Sequence, residues 1–130
     1  MTRNASKHPT ELELEILKVL WEAGPSTVRE VRELLEPVRD LAYTSVMTVM
    51  NIMTKKGYLK RRKNGNSFVY RASVNRDATA NRMLGDVVDR LFEGSRAMAA
   101  LQLLETSDID EAELARLRAL LLRDDEEVES

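Results

Sequence analysis

Residues 42–70 read AYTSVMTVMNIMTKKGYLKRRKNGNSFVY, and the fold turns on how this stretch divides. Its first fifteen residues predict a helix. Val46, Val49, Met50 and Met53 recur at i, i+3, i+4 and i+7, one apolar stripe on a 3.6-residue repeat. At ~100° per residue, Thr44, Thr48, Asn51 and Lys55 fall on the opposite side. Three short hydrogen-bonding side chains and one cation suit the base edges and phosphates of a duplex major groove. Gly57 ends the helix, because glycine takes the left-handed conformation past the last turn without a Cβ penalty. Two extended runs follow, LKRRK at 59–63 and NSFVY at 66–70, joined by Asn64-Gly65. Asn-Gly in that setting predicts a β-hairpin with a type I′ turn, which needs positive φ at both central residues.

Charge on the hairpin separates two readings. Between positions 55 and 71 stand Lys55, Lys56, Lys60, Arg61, Arg62, Lys63 and Arg71, with no acid among them. A hairpin kept basic only for solubility is the plainer reading, but a solvated surface ordinarily mixes signs. A phosphate-binding hairpin beside a groove-reading helix accounts for the single sign.

The whole chain is nearly neutral, at −2 over 130 residues. Its halves are not. Residues 1–75 carry thirteen Lys/Arg against eight Asp/Glu, whereas residues 76–130 carry seven against fourteen. A basic half that meets a polyanion and an acidic half with another task fit this split. With 43% apolar and 32% charged residues the chain has the makings of a folded protein, and its few aromatics imply an aliphatic, methionine-rich core.

Cysteine is absent, which excludes disulfides, thiolate metal sites and a thiol nucleophile, and fits a reducing cytoplasm. The opening MTRNASKHPTELELE lacks the apolar core of a signal peptide, and no run approaches the ~20 apolar residues of a membrane span. The expected location is cytoplasmic. Nor does the chain hold a glycine-rich phosphate loop, an HExxH pair or an acid pair, so no enzyme, cofactor or metal is implied. Its one histidine, His8, is expected to be solvated in a frayed tail over residues 1–8.

Upstream of the deciding stretch, Thr10 and Glu13 form a capping box. The helix it opens buries Leu12, Ile16, Leu17 and Leu20, with Trp21 expected to pack on the core rather than stack on a ligand. Ala23-Gly24-Pro25 stops it. A second box, Thr27 with Glu30, opens a helix whose inner stripe is Val28, Val31, Leu34 and Leu35 and which Pro37 ends. Three helices and a hairpin make a winged helix-turn-helix over residues 1–74, with the third helix entering the groove and the hairpin riding the backbone.

Downstream the character changes. A helix is expected over 78–93, with Met83, Leu84, Val87, Val88, Leu91 and Phe92 at spacings of three and four. Glu93-Gly94-Ser95 breaks it. A short apolar helix follows at 96–105, then one at 110–123 with Leu114, Leu117, Leu120 and Leu121 inward, and residues 124–130 are expected to be a disordered acidic tail. About fifty residues in three amphipathic helices bury too little alone to offset roughly 1–2 kcal/mol per residue of backbone ordering. A second copy of the same segment is the favoured cover, since soluble oligomers are mostly two-fold dimers. The fold class expected is therefore mainly α with a small β-hairpin: a winged helix and a three-helix dimerisation region over 75–123. Candidate dimer contacts are Leu84, Val87, Val88, Leu91, Leu101, Leu104, Leu117 and Leu121.

Several stretches also resemble a known family. ELELEILKVLW at 11–21, STVREV at 26–31, LAYTSVMTVM at 41–50 and KKGYL at 55–59 are similar to the penicillinase repressors of the BlaI/MecI/CopY group. The resemblance covers residues 10–123 in element order and is sharpest through residue 72. It implies a homodimeric transcriptional repressor that binds an inverted-repeat operator on double-stranded DNA. Carried over by position, recognition-helix contacts fall on Thr44, Ser45 and Thr48, and wing contacts on Arg61, Arg62 and Lys63. Asn51 and Lys55 rest on the helical phase alone. Two features of the group do not transfer. Its β-lactam-responsive members are cleaved at an Asn-Phe bond where this chain has Gln102-Leu103, so a regulatory protease would need another specificity. Its copper-responsive members use a cysteine motif that is absent here. A competing reading is a winged-helix protein–protein adaptor that never touches DNA, against which the acid-free hairpin argues.

Overall fold

The computed structural model describes residues 8–106 and 108–129. The tail expected to fray therefore lies outside the described residues up to position 7. His8 itself is half-buried rather than solvated: the capping box at Thr10 fixes the path of the chain into the first helix, and His8 sits just before it.

The elements run α1 Glu11–Ala23, α2 Val28–Leu35, α3 Tyr43–Lys56, β1 Leu59–Asn64, β2 Ser67–Ala72, α4 Arg76–Leu91, α5 Arg96–Thr106 and α6 Glu111–Glu129. The fold class is mainly α with one antiparallel hairpin. Both expected capping boxes form. Thr10 accepts from the Glu13 amide while Glu13 accepts from that of Thr10, and Thr27 and Glu30 do the same for α2. Each box satisfies two of the free donors of a first helical turn.

The chain divides into two compact units, one ending at Leu84 and the other beginning at Gly85. In the first, Ile16, Leu17 and Leu20 of α1, Val28, Val31 and Leu35 of α2, and Val46, Met50 and Met53 of α3 make one core. Tyr58, Leu59 and Tyr70 close it from the hairpin side. Each fully buried aliphatic side chain contributes roughly 1.5–3 kcal/mol. Leu34, expected in the α2 stripe, is 52% exposed. The stripe is centred on Val28, Val31 and Leu35, and Leu34 lies ~100° round the helix from Leu35. Trp21 packs partly on the core and donates its indole N–H to the Val74 carbonyl at 2.9 Å.

Gly57 ends α3 at φ 90°, left-handed, with its N–H shared between the Met53 and Thr54 carbonyls. The hairpin turn differs from expectation. Register pairs Asn64 with Ser67, so the two loop residues are Gly65 and Asn66, and only Gly65 has positive φ, at 66°. That is the type II′ pattern, with glycine at the first central position, not type I′. Asn64 instead ends β1.

In the second unit, Glu93 at φ 51° and Gly94 at φ 84° break the chain after α4, where the sequence placed a stop. α5 buries none of its residues. α6 runs to Glu129, through the acidic stretch expected to be disordered. Leu, Arg and Glu are strong helix formers and no Gly or Pro follows Gly94, so nothing local ends the helix at 123. No helix of the described residues is long and apolar enough to cross a membrane.

Candidate nucleic-acid interface

Helix α3 is held by contacts at both ends. At its start, Arg32 of α2 donates Nε–H to the Leu41 carbonyl at 2.8 Å, which fixes the turn between α2 and α3. Arg39 in the same turn pairs with Glu15 and Glu11 of α1. At its end, the Lys56 ammonium meets the Glu13 carboxylate at 2.8 Å. Glu13 is 3% exposed. Burial opposes its ionisation, but Lys56 and the hydrogen bonds from Thr10 outweigh burial and hold its carboxyl below the usual range. Burial, helped by the nearby Glu13 charge, pushes the Tyr58 hydroxyl up.

With Val46, Met50 and Met53 inward, the outer face of α3 is the one the helical phase predicted. Thr44, Ser45, Thr48 and Lys55 are exposed. Thr48 donates its hydroxyl to the Thr44 carbonyl at 2.9 Å, which leaves its methyl group and oxygen lone pairs outward. Asn51 is only half-buried and sits on the flank nearest the hairpin. Ile52, absent from the expected contacts, is 43% exposed on the same outer face. Its signal was available: an isoleucine in helical phase with the polar stripe has no core to fill. Ala42 gives α3 no side-chain cap, so its N-cap side chain takes up none of the first-turn N–H groups.

Alternation along β1 sorts its cations. Arg61 lies opposite Tyr70 and Lys63 opposite Phe68, while Lys60 lies opposite Arg71 and Arg62 opposite Val69. Arg61 reaches α3: its Nη1 donates to Asn51 Oδ1 at 3.1 Å, and its guanidinium lies 4.2 Å over the Phe68 ring. Arg61 and Lys63 therefore share the hairpin face turned toward α3. Lys60, Arg62 and Arg71 share the other. All five are exposed. Arg61, Arg62 and Lys63 thus belong to one hairpin but not to one face, which a linear run of bases does not reveal.

Between these surfaces is a cleft. Thr27 and Arg29 at the start of α2, Tyr43, Met47 and Asn51 along α3, and Arg61 and Phe68 on the hairpin line it. At the bottom, the Tyr70 hydroxyl donates to Asn51 Oδ1 at 2.9 Å. Its backbone pairs with Ser26 in both directions, at 2.9 and 2.8 Å, adding a one-residue bridge to the hairpin edge. In the sequence Tyr70 stands at the end of the second extended run, and Ser26 opens the STVREV stretch before the second helix. Nothing in their local pattern signals that they meet.

The profile of the penicillinase repressor family matches residues 9–123. The chain belongs to that family. The family consists of transcriptional repressors. Among curated relatives of this family member, the transcriptional regulator BlaI of Mycobacterium tuberculosis (strain ATCC 25618 / H37Rv) is 35% identical over 112 residues, covering 85% of this chain and 80% of the relative. The methicillin resistance regulatory protein MecI of Mammaliicoccus sciuri is 20% identical over 118 residues, covering 91% and 96%. The solution structure of the DNA binding domain of the repressor BlaI is 28% identical, with a TM-score of 0.48, over 55% of this chain and 90% of that one. Among the described residues of this chain, no three or more His, Asp and Glu side chains gather into a group that could hold a metal ion.

Proposed function

We propose that this protein is a DNA-binding transcriptional repressor that acts as a homodimer on an inverted-repeat operator. The observation that carries the reading is the juxtaposition on α3 and the hairpin: an exposed, acid-free row of Thr44, Ser45, Thr48 and Lys55 beside an exposed cationic strand. Family membership adds to it.

In this reading α3 enters the major groove. Thr44, Ser45 and Thr48 meet base edges, and the threonine methyls and Ile52 meet thymine methyls. Lys55, Lys63 and the outer cations Lys60 and Arg62 neutralise phosphates, which gives affinity and a steep salt dependence. The winged-helix region is assigned to residues 1–74, described from residue 8 onward. Dimerisation belongs to 75–123, where Leu84, Val87, Leu91, Leu101, Leu104 and Leu117 are exposed and Val88 is half-buried, while the Leu121 side chain lies outside the described ones. Leu91 at 72% and Leu101 at 51% exposure are unfavourable in a lone chain and call for an apolar partner. A second copy answers that need and sets two α3 helices one or more ~34 Å turns apart. Gln102 and Leu103, both exposed, stand in the place of the group's Asn-Phe bond, so a regulatory protease would need another specificity and could cut nearby instead; cytoplasmic placement fits a protein that meets the genome.

Mobility shift against genomic fragments at moderate salt, with selection and sequencing of what is bound, tests the reading. A palindromic consensus from a species sedimenting as a dimer is the expected result. Absence of any shift would favour the protein–protein adaptor.

A further inference from the structure

Asn51 stands in the phase of the polar stripe, yet its geometry is not that of a base reader. A bidentate contact to adenine needs the amide oxygen to accept and the amide nitrogen to donate. Here Oδ1 already accepts from the Tyr70 hydroxyl at 2.9 Å and from Arg61 Nη1 at 3.1 Å. A guanidinium has donors only, so the amide must turn its oxygen toward the hairpin. Arg61 Nη1 also lies 3.4 Å from the Tyr70 oxygen, and Phe68 holds the same guanidinium from above. Tyr70 is 2% exposed and its backbone is bonded on both sides to Ser26, just before α2. Three segments meet at one point: the lead into α2, the exposed helix α3, and both strands of the hairpin.

We propose that Asn51, Tyr70 and Arg61 form a latch that sets the angle of the hairpin against α3, with Asn51 and Arg61 as positioning residues rather than direct readers of base and phosphate. The proposal rests on the DNA-binding reading for its consequence but not for its geometry. A hairpin docked at one angle presents Lys63 and the outer cations to the backbone in register with α3 in the groove. A hairpin free to swing keeps the same charges and loses the register. Preorganisation of this kind raises affinity for the cognate site without adding a contact.

Tyr70→Phe removes one hydroxyl and keeps the buried ring, and Asn51→Asp keeps an acceptor for both donors. In the free full-length protein, backbone order parameters across residues 59–72 should fall in Tyr70→Phe and in Asn51→Ala, and stay at the wild-type level in Asn51→Asp. With a selected operator, Tyr70→Phe should lose roughly three- to ten-fold in affinity, the scale of one hydrogen bond. Its affinity for random duplex and its salt slope should not change. Unchanged hairpin order and operator affinity in Tyr70→Phe would overturn the latch. So would an Asn51→Ala variant that keeps hairpin order and loses only a preference for adenine at one position. If the wild type binds no DNA, the functional reading fails, and the order parameters still decide the latch.

Discussion

Lys55 and Lys56 are adjacent in sequence, and the structure assigns them opposite work. Lys55 is exposed on the outer face of α3. Lys56 is exposed as well but reaches across to Glu13, whose side chain is 4% exposed against 27% for Lys56. Breaking a buried pair from one side costs about 3–5 kcal/mol, and an exposed pair contributes about 0–1 kcal/mol. With one partner buried, the other partly wet, and the Thr10 hydrogen bonds intact, Lys56→Ala should cost about 2 kcal/mol at neutral pH. For a unit of this size that is a fall in Tm of roughly 10 °C. The pH dependence gives the sharper test. In the folded wild type Glu13 ionises below its ordinary value of 4.5. Its contribution is therefore complete above 4.5 and lost as pH falls through the lower folded value. Without Lys56, burial is opposed only by Thr10, and the Glu13 pKa rises. Protonation then relieves the variant first. The stability gap between wild type and variant should be widest near pH 7 and narrow as pH falls below 4.5. Urea unfolding at matched protein concentration, at pH 7 and pH 4, measures both. An equal gap at the two values would refute the charge argument and leave only lost packing. Meanwhile Lys56→Ala should keep the wild-type salt slope for DNA, and Lys55→Ala should lower it by about one.

Replacing Arg62 and Lys63 together by alanine should weaken cognate and random duplex alike and flatten the salt slope by nearly two, read from binding isotherms between 50 and 200 mM salt. Unchanged slope would reject the phosphate role of the hairpin. Thr48→Ala and Ile52→Ala should each relax the preferred sequence, by about 1–3 kcal/mol at the base pair concerned, with little effect on random duplex; sequence selection on each variant checks this. Leu101→Glu should turn a dimer into a monomer in sedimentation at micromolar concentration and lower operator affinity with it, whereas a persistent dimer would move the interface off α5.

Much of this protein was legible in one dimension because its signals are local. Capping boxes span four residues, so Thr10 with Glu13 and Thr27 with Glu30 announce α1 and α2 from sequence alone. The phase of Val46, Met50 and Met53 determines which side of α3 faces outward, and Gly57 where α3 ends. A hairpin had to follow, since two extended runs flanked a glycine turn. Its register did not have to follow from that. Gly65 accepts a II′ turn as readily as a I′ turn, and the choice made by the packed hairpin places Arg61 opposite Tyr70. The contacts that distinguish otherwise similar side chains join residues far apart in the chain: Lys56 to Glu13, Tyr70 to Asn51, Ser26 to Tyr70. No periodicity encodes such pairs, because each exists only once the core has brought its two segments together. Sequence therefore determined which faces are polar and cationic, and tertiary structure decided which of those polar groups are spent on the protein itself.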